Sequence, residues 1–554
     1  MVSKHYTKFD LDIRGRFSGS IVAFTVAVMM CGCAAGPDFK RPDAPVATAY
    51  TVTPPEIKSA DTDVTQAEKQ RFVADKDIPF DWWTLFQSPQ LNTLIARALK
   101  ANPNIEAAQA ALRQAHENVI AQQGFFYPTV GVSYSPSRNK LAGNMGGNSP
   151  GPQQNGDNIQ SSPTSPAYYN FHTAQLSVGY VPDVFGLNRR MTESAQAQEE
   201  WQQMQLRATY ITLVSNIVAA AIQEAGLRAQ IEAANTIISI NRENLEIMRQ
   251  QLKLGFLADI DVAAQEALLA QSELALPPLD KQLEQTRDLI RALAGNAPNQ
   301  DVAETFELAS LHLPQELPLS LPSTLVEQRP DVRAAEAQLH SASAQYGVAI
   351  ANRMPQFMVT ANVGGMASSP EWMFASGGTF FSLTGNISQI IFDGGTLKAK
   401  SRAAEQALLQ VGAQYRSTVI TALQNVADTL HAIRTDADAL KAAAAASHAS
   451  QTVLSLTRKQ FKLGYVSYQN LLAAQQNYQL TAVTLAQAQS SRLGDTAALY
   501  QALGGGWWNS PGAGLRKAVS NADASAKQTG LDKMDLNKTS MAEQSAMAKG
   551  VNAQ

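Results

Sequence analysis

Four sets of residues have the types and spacing to do chemistry. Cys31 and Cys33 are the two cysteines of the chain. Two positions apart, they build neither a disulfide framework nor a thiolate metal cluster, which leaves modification of a single thiol. Gly147-Asn148-Ser149-Pro150-Gly151 has the spacing of a nucleophile elbow. An elbow needs a strand before it and a helix after it, and this one sits in a Gly/Asn/Ser/Pro stretch, so it carries no catalytic reading. The seven histidines are scattered, with no His-Glu-x-x-His pair and no phosphate loop. No cofactor and no metal are expected, and the chain is not read as an enzyme. The fourth set is charged: Asp259 and Asp261 follow Gly255, while Arg458 and Lys462 precede Gly464. Charges of this kind close pores when symmetry repeats them around an axis; the plainer role for the two aspartates is to favour a helix N-terminus.

The elements that position this charged set are duplicated. Gln251-Leu252-Lys253-Leu254-Gly255 recurs as Gln460-Phe461-Lys462-Leu463-Gly464, 209 positions later. In each copy an Ala/Gln/Leu-rich helix arrives with basic residues in its last turn, where the helix dipole favours cations. Glycine then supplies the left-handed position that ends it. A new helix starts at once, after Asp259 in one copy and after Ser467 in the other, both good N-cap types. Each copy is therefore a hairpin tip, and a unit that recurs at a fixed offset marks an internal repeat.

The rest of the chain fits that repeat. Asn102-Pro103 and Arg329-Pro330 open helices, and Pro128 and Pro355 precede strands, both pairs 227 positions apart. Val130, Val132 and Tyr134 alternate with small or polar residues, as do Leu176, Val178 and Tyr180, then Phe357, Val359, Ala361 and Val363, then Phe381, Leu383 and Ile387. Asp183-Val-Phe-Gly186 and Phe392-Asp-Gly-Gly395 each turn the chain into a helix of about 65 residues, roughly 100 Å long. The first return helix meets Pro277-Pro278 and should break there. The organisation expected is a signal segment at 1–32, an extended strap at 33–81, one repeat at 82–300, a second at 301–508, and a polar, disordered tail at 509–554.

Composition sets the compartment. Charged residues are 16% of the chain and the net charge is −3, so nothing argues for nucleic acid. Lys4, Lys8, Arg14 and Arg16 precede the apolar run Ile21–Met30, which ends at Gly32-Cys33. This is an export signal rather than a membrane span. Gly-Cys in that place resembles a lipobox, with Cys33 the acylated first residue of the mature chain. Export, alternating strands of about ten residues, and aromatics at the strand ends (Phe125, Phe126, Tyr127, Phe374, Phe380, Phe381) together describe transmembrane β-strands. Four strands cannot close a barrel, and an open edge cannot face lipid. Several chains must share one barrel; three would supply twelve strands and gather the long helices around the same axis.

The Cys33–Phe39 start, Trp82-Trp83, Asn102-Pro103, Arg329-Pro330-Asp331, Phe392-Asp-Gly-Gly395, both Lys-Leu-Gly tips and Leu503-Gly-Gly-Gly-Trp507 resemble the TolC/OprM-type outer-membrane factors, specifically their NodT-like lipoproteins. The resemblance spans about residues 33–508. It implies an α+β membrane protein: a homotrimeric channel-tunnel with a 12-stranded transmembrane β-barrel, four strands per chain, and a long periplasmic α-helical barrel. It implies a passive outer-membrane exit duct for small molecules or drugs, lipid-anchored in the outer membrane and extending into the periplasm. The implied partners are a periplasmic adaptor and an inner-membrane resistance-nodulation-division (RND) pump. An exit duct for type I protein secretion is the alternative. Ala34 after Cys33, in place of Asp, implies sorting to the outer membrane. Family members carry gate aspartates on the second hairpin, where this chain has Asn470 and Ala473; Asp261, the counterpart of Asn470, is then the expected source of any carboxylate ring, with Arg458 and Lys462 on the neighbouring tip as pairing partners for Asp259 and Asp261.

Overall fold

The structure, a computed structural model, describes residues 34–43, 49–51, 70–74, 76–140, 168–319 and 322–510. Cys33 and the signal before it, the Gly147–Gly151 stretch and the tail beyond residue 510 lie outside the described residues. In chain order the elements are β1 (Arg71–Ala74), α1 (Pro89–Ala101), α2 (Pro103–Gln123), β2 (Thr129–Lys140), β3 (Tyr168–Tyr180), α3 (Leu187–Lys253), α4 (Asp259–Leu274), α5 (Leu276–Leu293), β4 (Glu316–Leu319), α6 (Pro322–Gln328), α7 (Pro330–Ala351), β5 (Gln356–Ala367), β6 (Thr379–Ser388), α8 (Thr396–Lys462) and α9 (Tyr468–Ala502).

The repeat is plain in this order: helix pair, strand pair, long helix, return helix, twice. α3 and α8 each run 67 residues. Both begin at the same device. The Asp183 carboxylate accepts the Asn188 and Arg189 N–H groups, each at 2.9 Å, and the Asp393 carboxylate accepts those of Gly395 and Leu397 at 2.8 and 2.6 Å. An acid there satisfies donors that the first helical turn leaves open. The first return helix breaks at Ala275, ahead of Pro277-Pro278, whereas α9 runs unbroken for 35 residues. The break falls upstream of the prolines because a proline ring crowds the backbone of the preceding turn.

The chain divides into two compact units. One takes Gln114–Glu199 and Ala337–Gly412 together with the chain up to Lys40. It holds a four-stranded antiparallel sheet in the order β2-β3-β5-β6. The register joins the alternating apolar positions into rows: Val132, Leu176, Val363 and Phe381 pair in turn, and so do Val130, Val178, Ala361 and Leu383. Directly paired residues share a face, so one face of the sheet is apolar and largely exposed, with Phe381 85% accessible. The other face carries Gly131, Ser177, Asn362 and Ser382 in register. The strands are longer than alternation alone indicates: β2 continues to Lys140, and β3 begins at Tyr168. The outer end of β2 is polar on both faces, and that of β3 puts Tyr168 and Tyr169 on opposite faces, so neither end shows the period-2 signal.

The second unit takes Arg41–Arg113, Glu200–Glu336 and the chain from Ala413. Within the stretch expected to be an extended strap, Arg71–Ala74 pairs in parallel with Glu316–Leu319, 245 positions away, and the buried Gln70 amide donates to Pro314 O at 3.0 Å. A four-residue strand is too short to show a period. Trp82 stacks on Tyr500 with ring centroids 5.2 Å apart, among buried Phe86, Leu91, Leu94, Ile95 and Phe306. Gly504, Gly505 and Gly506 all have positive φ and carry Trp507 to Gln328 O, 2.5 Å from its indole N–H. Asp436 on α8 and Asp495 on α9 share a hydrogen bond; burial and the adjacent carboxylate push Asp436 up to about 7.

Candidate functional site

Both hairpin tips, α3 to α4 and α8 to α9, belong to the second unit. Each turn is built the same way. Gly255 and Gly464 sit at φ +77° and +78°. The Phe256 and Tyr465 N–H groups reach back to Gln251 O and Gln460 O at 2.9 Å, while the glycine N–H groups bond Leu252 O and Phe461 O. This six-to-one closure is the Schellman arrangement, which requires a left-handed residue that only glycine supplies without strain.

Below the turns, the two hairpins are zipped by counterpart positions. Asn241 Nδ2 donates to Ser272 Oγ at 2.8 Å in the first, and Ser450 and Thr481 share a hydroxyl hydrogen bond at 2.5 Å in the second. These four residues are related by the same 209-residue offset. Small polar residues recurring 31 positions apart in both copies were a legible signal of the contact. Arg249 and Arg458 are likewise counterparts, yet they choose different partners. Arg249 pairs with Glu266 of its own hairpin at 2.7 Å. The counterpart of Glu266 is Gln475, which has no charge to offer, and Arg458 instead crosses to Glu243 on the first hairpin at 2.5 Å. Among the described residues of one chain, no ion pair joins Arg458 or Lys462 to Asp259 or Asp261.

Asp261 is the third residue of α4, and its carboxylate accepts the Ala258 N–H at 3.4 Å. Ala258, not Asp259, precedes the helix as its cap, and Asp259 is the exposed first helical residue. Ala258 has no side-chain acceptor, so Asp261 supplies half of a capping box. In the second tip Ser467 stands at the cap without a side-chain hydrogen bond, and the Asn470 N–H bonds Ser467 O at 3.1 Å. Lys462, Gly464 and Asn470 are exposed.

Sequence reasoning missed the bond that ties the tips internally. The buried Tyr468 hydroxyl donates to Gln265 Oε1, and Gln265 Nε2 donates to Asn241 O at 2.9 Å. Burial, with the Asp261 charge nearby, pushes Tyr468 up to about 12, so it stays a donor. Leu245, Met248, Val262 and Tyr468 form a small core, against which Phe461 of the other hairpin packs. Outside that core, Leu254, Phe256, Ile260, Leu463 and Tyr465 are between 69% and 78% exposed. Among the described residues no group of His, Cys, Asp and Glu is placed to hold a metal ion. The arrangement has the parts of a docking surface: apolar side chains on two stiff turns, with an ion pair linking the hairpins behind them.

The family described as "Outer membrane efflux protein" matches residues 94–296 and 321–505, one block per repeat. The toluene efflux pump outer membrane protein TtgC of Pseudomonas putida is 28% identical over 494 residues, which covers 89% of this chain and 96% of the relative. The cation efflux system protein CusC of Escherichia coli O6:H1 is 26% identical over 491 residues, covering 88% and 98%. Among solved structures, the outer-membrane channel OprN superposes with a TM-score of 0.74 at 25% identity, covering 86% of this chain and all of that one.

Proposed function

The chain belongs to the outer membrane efflux protein family, and on that premise we propose that it is the passive exit duct of a tripartite efflux system. Three copies form the duct, a periplasmic adaptor docks at the hairpin tips, and an RND-type pump in the inner membrane supplies the energy. The observation that carries this reading is the register of the sheet. Its four strands alternate in direction, and among the described residues β2 and β6 each pair on one side only. A neighbouring copy can therefore set its β2 against β6 in the antiparallel sense, and the pattern continues without a fault around a ring. Each copy adds four strands, so three copies make twelve, which removes every edge from lipid. The apolar rows then face the bilayer, and the Gly/Ser/Asn face lines the lumen.

The tips complete the mechanism. Leu254, Phe256, Ile260, Leu463 and Tyr465 give an adaptor apolar surface to cover. The Arg458–Glu243 pair holds the two hairpins together in the closed state. Being partly exposed, it is worth only ~0–1 kcal/mol, which docking can overcome. The named relatives act on unlike cargo, toluene and cations, so the pump rather than the duct selects the substrate. Cys33 bears the lipid anchor. Native mass spectrometry and planar-bilayer recording test the duct: a trimer with a stable conductance is expected, and a monomer that forms no channel overturns the reading. Adaptor capture that survives Phe256→Asp with Tyr465→Asp would move the docking site off the tips.

A further inference from the structure

The stretch Ala34–Phe39 is gripped at nearly every residue by the unit that holds the sheet. Arg190, whose side chain is 4% exposed, makes four side-chain hydrogen bonds, three to this stretch and one to a neighbour. Its Nε donates to Ala35 O at 3.1 Å, its Nη2 to Gly36 O at 3.2 Å and Asp38 Oδ1 at 2.8 Å, and its Nη1 to Glu193 Oε2 at 2.7 Å. Glu193 also meets His340 at 3.0 Å, and Phe39 stacks on the His340 ring at 4.3 Å. Two glycines let the backbones close. A Cβ on Gly36 would lie 2.7 Å from Gly347 Cα, and one on Gly347 would lie 3.1 Å from Ala35 O. Ala34 rests on Gly186 in the same way, and the Ala35 N–H donates to Phe185 O at 2.9 Å.

This is a built groove between the start of α3 and α7, and the strap fills it. The strap both covers the Arg190 guanidinium and supplies the three acceptors that its Nε and Nη2 use, so a strap that left would exchange those charge-assisted hydrogen bonds for water. Ala35-Gly36-Pro37-Asp38 offers Arg190 two peptide carbonyls and a carboxylate, with the backbone bent at Gly36 (φ +88°). The groove also has a particular place in its unit. Phe185, which bonds the strap, lies just past the end of β3, and its ring is 6.2 Å from that of Phe357 in β5. The seat thus adjoins the strand ends, where the apolar face of the sheet stops.

We propose that this groove is a seat for the chain that follows the lipid-attachment position, with Arg190 as its positioning residue, and that it sets the lipid anchor level with the foot of the sheet. The proposal rests on the reading of Cys33 as the acylated residue. Seating matters during assembly: a lipid joined at the strand ends holds each copy at the bilayer surface with its strands pointing into it, before the ring closes.

Hydrogen exchange on the full-length detergent-solubilised protein tests the seat without reference to lipid. Arg190→Gln should speed exchange across residues 34–39 by about tenfold or more and leave α8 and α9 at the parent rate, with Arg190→Lys in between. Asp38→Ala combined with Phe39→Ala, changes on the strap alone that spare the groove, should do the same. Unchanged exchange in that segment overturns the seat. The positioning role is read from the assembled trimer in outer membranes. Arg190→Gln should lower it several-fold when mass spectrometry shows acyl chains on Cys33, and should cost nothing further in a Cys33→Ser background. An equal loss in both backgrounds makes Arg190 a structural residue only and overturns the role. Absence of lipid on Cys33 of the parent overturns the anchor and leaves the exchange result standing for the seat.

Discussion

Arg458 Nη2 lies 2.5 Å from Glu243 Oε2, so one ion pair ties the second hairpin of the chain to the first near the tips. Its counterpart Arg249 stays within its own hairpin. One copy of the repeated arginine zips a hairpin, and the other sutures the two. If the suture restrains opening, Arg458→Ala and Glu243→Ala should each raise conductance or open time in planar bilayers. The thermal midpoint should barely move, since exposed pairs contribute only ~0–1 kcal/mol. Parent-like conductance in both variants places the restraint elsewhere.

Asp261→Ala should behave differently. Its carboxylate meets the Ala258 N–H and no cation among the described residues. The substitution should weaken the first turn of α4 by ~0.3–1 kcal/mol, seen as faster amide exchange there, with conductance unchanged. A large conductance gain would restore Asp261 to the gate.

Tyr468→Phe leaves Gln265 Oε1 buried without its donor, which costs about 1–3 kcal/mol, read as a lower denaturation midpoint of the tip region. The hydroxyl also gives a pH signature. Its pKa is raised from an ordinary 10.0 to about 12, so the fold favours the protonated form. That contribution is complete below the unfolded value and is lost as pH rises through the folded one. The parent should loosen at the tips between about pH 10 and pH 12, and Tyr468→Phe should lose that dependence.

Asp436 is the second pH-dependent group. Burial and Asp495 raise it from 3.8 to about 7, so its contribution is present at low pH and is lost as pH climbs through neutrality. Asp436→Asn removes one charge of the pair. It should raise the melting temperature relative to the parent at pH 8 and do so much less at pH 5. An equal shift at both values would mean that the two carboxylates do not interact.

Gly255→Ala and Gly464→Ala test the turns. Nothing lies within 4 Å of a Cβ at either position, so the cost is backbone strain alone, about 1–2 kcal/mol for a left-handed residue. Faster exchange of the Phe256 and Tyr465 amides should report it, and no change would mean that the turns relax without those glycines.

Much of this protein was legible in the chain. Gly255 and Gly464 announce left-handed turns, proline and aspartate mark where helices begin, and the alternation of Val130 to Tyr134 and Phe381 to Ile387 gives each strand its apolar face. These are local consequences of backbone sterics and side-chain period, repeated at offsets of 227 and then 209 positions. Tertiary structure decided what depends on which helix face meets which. Arg249 and Arg458 occupy the same place in the repeat, and only the packing of two hairpins against each other determines that one finds Glu266 and the other Glu243. Ala- and Gln-rich helices of 67 residues present nearly uniform surfaces, so periodicity does not set their relative rotation. The parallel pairing of Arg71–Ala74 with Glu316–Leu319 was beyond reach for a related reason. Four residues carry no period, and a partner 245 positions away is brought alongside only by everything folded between them.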